Sequence, residues 1–210
     1  MSALSENLAA IQARIETVAE KHGRKAGEVR LVAVSKTNTP EAIREVFEAG
    51  QRVFGESRVQ EALPKLDALP PEIEWHFIGH LQTNKIRKVV DRFALFHGVD
   101  NQNLALQINR IAGELGVTAN VLLEVNVSGE ESKFGFDPKT LPAALEVLLP
   151  LPFLRIQGLM TMAPYSDDPE TARPYFAKLR EWRDRLLVET GNPLHELSMG
   201  MSGDFEQGLS

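Results

Sequence analysis

The first part of the chain carries apolar residues at helical spacing. Leu4, Leu8, Ile11, Ile15 and Val18 recur at intervals of three or four positions, with polar residues between them. Residues at this spacing collect on one side of a helix, so the pattern predicts an amphipathic helix with a single buried stripe.

From Val29 onwards, short apolar runs alternate with longer stretches of helical periodicity. The apolar runs predict seven strands, over 29–35, 52–54, 74–78, 94–99, 120–125, 154–159 and 196–199. Helices are predicted after them, over 39–50, 57–66, 84–90, 101–115, 140–149, 168–189 and 202–208. Thr39 and Pro40 supply a cap and a first-turn proline, and Gly116 ends the helix over 101–115. Pro174 is expected either to kink the long helix or to reset its start.

This alternation is typical of parallel α/β folds. A helix followed by seven strand–helix units implies a parallel sheet with right-handed crossovers. Eight units close a (β/α)8 barrel, so the pattern predicts a barrel whose last strand is missing from this chain. An open doubly wound sheet is the competing architecture. It is disfavoured because no Gly-x-Gly-x-x-Gly follows the first strand, and the sequence also has no phosphate-binding P-loop motif.

Length and composition fit one soluble domain over 1–210. The formal net charge of −6 disfavours general binding to nucleic acid. The absence of cysteine excludes disulfides, zinc thiolate sites and thiol nucleophiles. The start has no basic segment with an apolar core, and no run of about 18 apolar residues occurs, so we expect neither a signal peptide nor a membrane span. The protein is therefore expected in the cytoplasm.

Lys36 directly follows the first apolar run, at the edge where parallel-sheet proteins place their functional sites. A lysine with a buried stem at a strand end loses solvation. This lowers the pKa of its amine, and the neutral amine is a nucleophile toward aldehydes. The alternative is a lysine that extends along the rim of the sheet into solvent.

The loop after the third strand offers a second group of candidates. Gly79 allows a ligand to approach the backbone closely, and His80, Gln82 and Asn84 follow on the same edge of the sheet as Lys36. Loop chemistry is the simpler interpretation for Gln82 and Asn84, with Asn84 capping the next helix. For His80 the functional and structural interpretations are equally good.

The segment after the seventh strand is a candidate phosphate site. Its glycines leave backbone N–H groups accessible, and Ser202 is expected to cap the last helix, whose N-terminus favours anions. The alternative is an ordinary capped turn, and Asp204 is expected to point away from any phosphate. In two other loops, Lys133 is a possible second amine or part of a solvated charged loop, and Met160 and Met162 are expected to line the pocket.

Five segments together resemble the pyridoxal phosphate homeostasis protein family: 33–36, 54–56, 75–85, 158–164 and 197–204. They follow the family's order along the whole chain, and the segments 75–85 and 197–204 are the most specific. The resemblance implies a single barrel like the N-terminal domain of alanine racemase, with an extra N-terminal helix. It also implies pyridoxal 5′-phosphate as the cofactor.

The resemblance carries over to individual residues. It implies that Lys36 forms a Schiff base with the cofactor and that Ser202 contacts its phosphate. The matching pocket residues and the backbone that would anchor the phosphate are His80, Met160, Ser198, Gly200 and Met201. Lys133 matches a loop lysine of the family. Ser57 stands where the family usually has asparagine, so a cofactor contact at Ser57 is expected through a shorter side chain.

The end of the sequence departs from the family. Family members continue through an eighth strand with an Arg-x-Gly-Thr segment, in which the arginine meets the pyridine nitrogen and the Gly-Thr backbone completes the phosphate site. The sequence in hand stops at Ser210, before that segment. An arginine at the pyridine nitrogen keeps it unprotonated, which makes the cofactor a poor electron sink.

The resulting hypothesis is a monomeric protein that binds, stores and delivers the cofactor to apoenzymes that need it. Racemases of this barrel type also use a tyrosine from a second domain, for which this chain of 210 residues with two tyrosines has no room. The first alternative is an amino-acid racemase of low activity. The second is a barrel aldolase that uses Lys36 without any cofactor.

Overall fold

The computed structural model describes residues 2–130 and 134–209. The chain divides into two compact units. Unit 1 runs to His76 and includes Leu209, and unit 2 is Phe77–Gly208. Among the described residues, all seven predicted strands are present. No helix in this part of the chain is both long and apolar enough to cross a membrane.

Unit 1 begins with a long helix and contains the first strands of the sheet, in the order β1-β2-β3. Its elements are α1 (Ala3–Lys21), a 3₁₀ helix (Ala26–Glu28), β1 (Ala33–Val34), α2 (Pro40–Glu48), β2 (Val53–Glu56), α3 (Val59–Ala68) and β3 (Glu74–Phe77), whose last residue belongs to unit 2. α1 buries Leu8, Ile15 and Ala19. The Thr39 hydroxyl accepts the Ala42 N–H, so α2 starts as predicted.

β1 is much shorter than the predicted run over 29–35. It pairs with β2 in parallel at two positions, Ala33 with Phe54 and Val34 with Gly55. Just before it, the Leu31 carbonyl accepts a hydrogen bond from the Gln51 side chain at 2.8 Å. A carbonyl that accepts a hydrogen bond from a side chain does not need a partner in the neighbouring strand. The apolar sequence pattern does not show which of the two partners a carbonyl has, so it predicted too long a strand.

Unit 2 contains the strand order β4-β5-β6-β7, with all neighbours parallel. Its elements are a 3₁₀ helix (Thr83–Lys88), β4 (Leu95–Val99), α4 (Gln102–Leu115), β5 (Ala119–Glu124), α5 (Leu141–Leu148), β6 (Leu154–Met160), a 3₁₀ helix (Pro169–Ala172), α6 (Arg173–Thr190), β7 (Glu196–Ser198) and α7 (Phe205–Leu209). Gly116 ends α4 in the left-handed conformation, as predicted.

The structure corrects two predicted helix starts in unit 2 and decides between the alternatives for a third. The segment over 84–90 is a tight 3₁₀ helix with Gln82 at its cap position, so the prediction that Asn84 caps it was wrong. Pro174 lies in the first turn of α6, and it therefore resets the start of the helix rather than kinking it. The last helix begins at Phe205, so Ser202 is not its cap.

Candidate functional site

Lys36 lies in the turn that follows β1, and its side chain is exposed. Its amine makes no hydrogen bond or ion pair with any residue that the structure describes. From the sequence we expected the stem of Lys36 to be buried, whereas the structure leaves the residue exposed. The amine is instead accessible, which suits a group that reacts with a ligand from solution.

A buried network supports this turn. Ser35 is 4% exposed, and its hydroxyl donates to Glu56 Oε1 at 2.7 Å. Lys65 Nζ donates to the same carboxylate oxygen at 2.7 Å and to the Ser35 carbonyl at 2.8 Å. Ser57 directly follows β2 and is half-buried. Its hydroxyl has no partner among the described residues. Unit 1 thus offers an accessible amine and a hydroxyl at the carboxyl ends of neighbouring strands.

In unit 2, three polar or polarisable side chains end neighbouring strands at one level. The strand register places Glu124 of β5 beside Met160 of β6, and Met160 beside Ser198 of β7. Met160 is 6% exposed and packs with Leu95 and Leu122. Two predicted site residues, Met160 and Ser198, are therefore neighbours, and the carboxyl group of Glu124 adjoins them.

Ser198 is tied to a histidine that the sequence analysis did not select. The Ser198 hydroxyl lies 2.7 Å from His97 Nδ1, and His97 is 4% exposed. His97 belongs to β4 and Ser198 to β7, so this hydrogen bond joins two strands that are not neighbours in the sheet order of unit 2. A histidine inside an apolar strand was the signal for it in the sequence.

His80 belongs to a second polar group in unit 2. Its Nδ1 lies 2.9 Å from Asp100 Oδ2, and its ring stacks on Phe134 with ring centroids 4.8 Å apart. Asp100 is 5% exposed and also accepts from the Asn101 side chain at 2.7 Å. The aspartate holds the imidazole in one orientation, as carboxylates commonly do for functional histidines.

Glu124 is the most perturbed acid near these residues. Burial, and to a smaller extent the negative charge of Asp100, raise the pKa of its carboxyl from the ordinary 4.5 to about 7, while His80 opposes the rise. Neither Asp100 nor Glu124 was selected from the sequence. Both could have been recognised by position. Asp100 comes directly after the apolar run over 94–99, and Glu124 lies near the end of the run over 120–125.

The segment after β7 forms a turn before α7. Gly200 has a φ of +87°, and a Cβ there would meet the backbone of Phe205 at 2.9 Å. Met201 and Ser202 are exposed, and the Ser202 hydroxyl has no partner among the described residues. The Asp204 carboxylate accepts the Met201 N–H within this turn, and its expected orientation away from a bound phosphate stays a prediction.

The remaining candidates add little to these groups. Lys133 lies outside the described residues. Gln82 is exposed at the cap position of the 3₁₀ helix and makes no side-chain cap hydrogen bond. Within the described part of the chain, no cluster of three or more histidine and carboxylate side chains is placed to hold a metal ion.

Known proteins resemble this chain over almost its whole length. The family model for the alanine racemase N-terminal domain matches residues 7–209. The pyridoxal phosphate homeostasis protein of Aquifex aeolicus is 46% identical over 202 residues, which cover 96% of this chain and 89% of that protein. The corresponding protein of Pseudomonas aeruginosa is 42% identical over 212 residues, which cover 100% of this chain and 90% of that protein.

A solved structure gives the same picture. The crystal structure of PipY from Synechococcus elongatus with pyridoxal phosphate bound is 40% identical, has a TM-score of 0.81, and aligns over 93% of this chain and 92% of PipY. The fold is therefore alanine-racemase-like. The chain belongs to the alanine racemase N-terminal domain family and, within it, to the pyridoxal phosphate homeostasis proteins.

Proposed function

We propose that this protein binds pyridoxal 5′-phosphate and takes part in intracellular homeostasis of the cofactor, with Lys36 as the residue that holds it covalently. The observation that supports this most is the Lys36 amine. It lies just after β1, is exposed, and has no partner among the described residues. The protein is also 40% identical in sequence to PipY, whose crystal structure contains the cofactor.

The side chains present fit such a ligand. An accessible primary amine is the group that an aldehyde requires, and Ser57 and Ser202 offer hydroxyl hydrogen atoms that no described residue uses. The further proposed contacts are with His80, Met160, Ser198, Gly200 and Met201. Because Asp204 already accepts the Met201 N–H, we assign the phosphate contact in this turn chiefly to the Ser202 hydroxyl and the neighbouring amides.

Once bound, the cofactor supplies an aldehyde that condenses with amines and a ring that withdraws electrons from the carbon atoms attached to it. Lys36 would hold the cofactor through a bond from its nitrogen to the aldehyde carbon, with the aldehyde oxygen and the two amine hydrogens released as water. The role of Met160 is to exclude water from one side of the ligand, since it is buried in an apolar cluster with Leu95 and Leu122. His80, oriented by Asp100, supplies a hydrogen bond of fixed direction.

We further propose that the protein holds and delivers the cofactor rather than turning over a substrate rapidly. The related proteins are named for homeostasis and not for a reaction. The two tyrosines are also poor candidates for a proton-transferring base. Tyr165 is 88% exposed and its hydroxyl donates to Asp167, and Tyr175 packs against an apolar cluster that includes Phe176.

Other parts of the proposal rest on family membership. We propose that the fold is of the (β/α)8 barrel type found in the alanine racemase N-terminal domain, to which α1 is an addition. The protein acts as a monomer in the cytoplasm and gives its cofactor to apoenzymes that require it. Light scattering of the purified protein tests whether it is a monomer. Reactivation of an apo-transaminase, freed of its pyridoxal phosphate, by the cofactor-loaded protein tests whether the cofactor is transferred.

The decisive experiment locates the covalent bond. The protein is titrated with pyridoxal phosphate, the absorbance near the visible edge is recorded, and the mixture is reduced with borohydride and mapped by peptide mass. We expect the reduced adduct on Lys36, loss of the absorbance band in Lys36→Ala, and an unchanged band in the control Lys139→Ala, which replaces another exposed lysine. An adduct on Lys133 in the unmodified protein would reject the assignment to Lys36.

The alternative of a weak racemase keeps one supporting observation, the acid and base groups Glu124, His80 and Asp100 of unit 2. Proton exchange at Cα of L- and D-alanine in D₂O measures it directly. Our proposal expects no exchange above that of free pyridoxal phosphate. Exchange that is faster than this background and is lost in Lys36→Ala would instead establish catalysis.

A further inference from the structure

The residue directly before Lys36 is held by more side-chain contacts than its place in a short strand requires. The N–H of Ser35 donates to the Gly55 carbonyl at 2.9 Å, which is an ordinary strand contact. Its hydroxyl is bound by Glu56 and its carbonyl by Lys65. The donor, the hydroxyl and the acceptor of one residue are therefore all fixed, and two of these three contacts come from side chains that bind each other.

Ser35 is also the first residue of the turn that contains Lys36. The Asn38 N–H donates to the Ser35 carbonyl at 3.1 Å, so Lys36 and Thr37 are the two central residues of the turn. Thr37 has a φ of +66°, in the left-handed region that β-branched residues strongly disfavour. A strained residue of this kind persists where the surrounding structure leaves it no alternative, and such residues concentrate at functional sites.

Stability alone gives a poor explanation of the Glu56–Lys65 pair. The Glu56 side chain is 0% exposed and the Lys65 side chain 10% exposed, so both charges are removed from water. Glu56 Oε2 is buried and accepts no hydrogen bond from a described residue. Burying an ion pair costs as much solvation energy as it gains in attraction, and apolar replacements of such pairs are often neutral or stabilising.

We propose that Glu56 and Lys65 are positioning residues for Lys36. By fixing the hydroxyl and the carbonyl of Ser35, they hold the strained turn closed and so set the direction in which the Lys36 amine is presented to an aldehyde. This inference rests on the proposed function of Lys36. It adds that formation of the covalent bond depends on a buried ion pair that itself never contacts the cofactor.

The test compares two ways of loosening the same two strands. Glu56→Gln/Lys65→Met removes both charges together, so that neither is left buried alone, and it releases the Ser35 carbonyl at the carboxyl end of β1. Gln51→Leu is the matched control. The Gln51 side chain donates to the carbonyls of Leu31 and Val53, at the amino ends of the same strands.

Four quantities are measured for each protein: the thermal midpoint, the dissociation constant for pyridoxal phosphate, the fraction of bound cofactor that borohydride traps on Lys36, and the rate of amide hydrogen exchange at Asn38. For the double variant we expect a midpoint near that of the unmodified protein, a dissociation constant raised at least tenfold, and a reduced trapped fraction. For Gln51→Leu we expect a lower midpoint with unchanged binding and trapping. Amide hydrogen exchange at Asn38, without cofactor, should accelerate in the double variant and not in the control.

The outcomes separate the two proposals. If the unmodified protein forms no adduct on Lys36, the proposed function fails, and this inference fails with it. If the unmodified protein forms the adduct and the folded double variant forms it equally, with the same affinity, the positioning role alone is overturned. If the double variant does not fold, Ser35→Ala replaces it, since it removes only the hydroxyl contact. Ser35→Thr should then restore trapping, and equal trapping in Ser35→Ala would overturn the inference.

Discussion

Replacing Glu124 by glutamine should change how the stability of this protein depends on pH. Burial and the negative charge of Asp100 together raise the pKa of the Glu124 carboxyl from 4.5 to about 7, with burial the larger cause. Each unit of pKa difference between folded and unfolded chains corresponds to about 1.4 kcal/mol of stability. The full difference is therefore worth about 3 kcal/mol, and about 1–2 kcal/mol remains after allowance for the part of the carboxyl that solvent still screens.

The sign of this pH dependence is set by how many protons Glu124 binds in the folded and in the unfolded chain. Below pH 4.5 the carboxyl is protonated in both the folded and the unfolded chain, so its contribution to stability is constant and fully present. Between pH 4.5 and about 7, the folded chain holds a proton that the unfolded chain has lost, and the free energy of unfolding falls as the pH rises. Above that range both forms are ionised, and the contribution is gone.

Glu124→Gln keeps the size of the side chain and cannot ionise. We expect the variant to gain about 1–2 kcal/mol over the unmodified protein between pH 4.5 and 7.5, most of it by pH 7. Urea unfolding at several pH values measures this difference, with Glu146→Gln as a control because Glu146 is exposed on α5. A difference between variant and unmodified protein that stays constant across this range would refute the reasoning, because it would mean that Glu124 ionises equally in the folded and unfolded chains.

Further changes test the other contacts of unit 2. Gly158→Ala should cost about 2–4 kcal/mol in urea unfolding, because its Cβ would overlap the backbone of β7, and normal stability would show that β6 and β7 are not this close. Ser198→Ala should cost about 1–3 kcal/mol, because the buried His97 ring loses a hydrogen-bond partner, and an unchanged midpoint would contradict that contact. Asp100→Asn should lower the pKa of Glu124 in a carbon-detected NMR titration, whereas an unchanged pKa would show that Asp100 does not raise it.

Much of the architecture could be predicted from the sequence because it depends on local signals. The alternation of apolar runs and helical periodicity predicted the seven strands, and capping residues such as Thr39 and Gly116 predicted helix ends. Boundaries were less accurate where a side chain replaces a backbone partner. Gln51 binds the Leu31 carbonyl, and Asp204 binds the Met201 amide. No local sequence pattern predicts either of these hydrogen bonds.

The candidate site was predicted in part for the same reason. Lys36 and Ser198 come directly after an apolar run or at its end, a position that sequence alone can recognise. Their partners could not be found in this way. Ser198 bonds to His97, which is 101 positions away, and the Ser35 carbonyl bonds to Lys65, which is 30 positions away. Whether a polar residue in an apolar strand is paired depends on the fold and not on its neighbours in sequence.

In both units, buried polar side chains lie beside the residues that we assign to ligand binding, and one physical reason accounts for their position. A polar side chain inside an apolar strand costs free energy unless it is paired, so the strands tolerate such residues mainly where a partner is available. In unit 1 the pair Glu56–Lys65 fixes Ser35, and in unit 2 His97 fixes Ser198. Each of these hydrogen-bonded groups lies at the end of a strand, just before an exposed turn. Lys36 and Ser202, the exposed groups that we assign to the ligand, therefore need no burial of their own, since the residues that precede them are held by these hydrogen bonds.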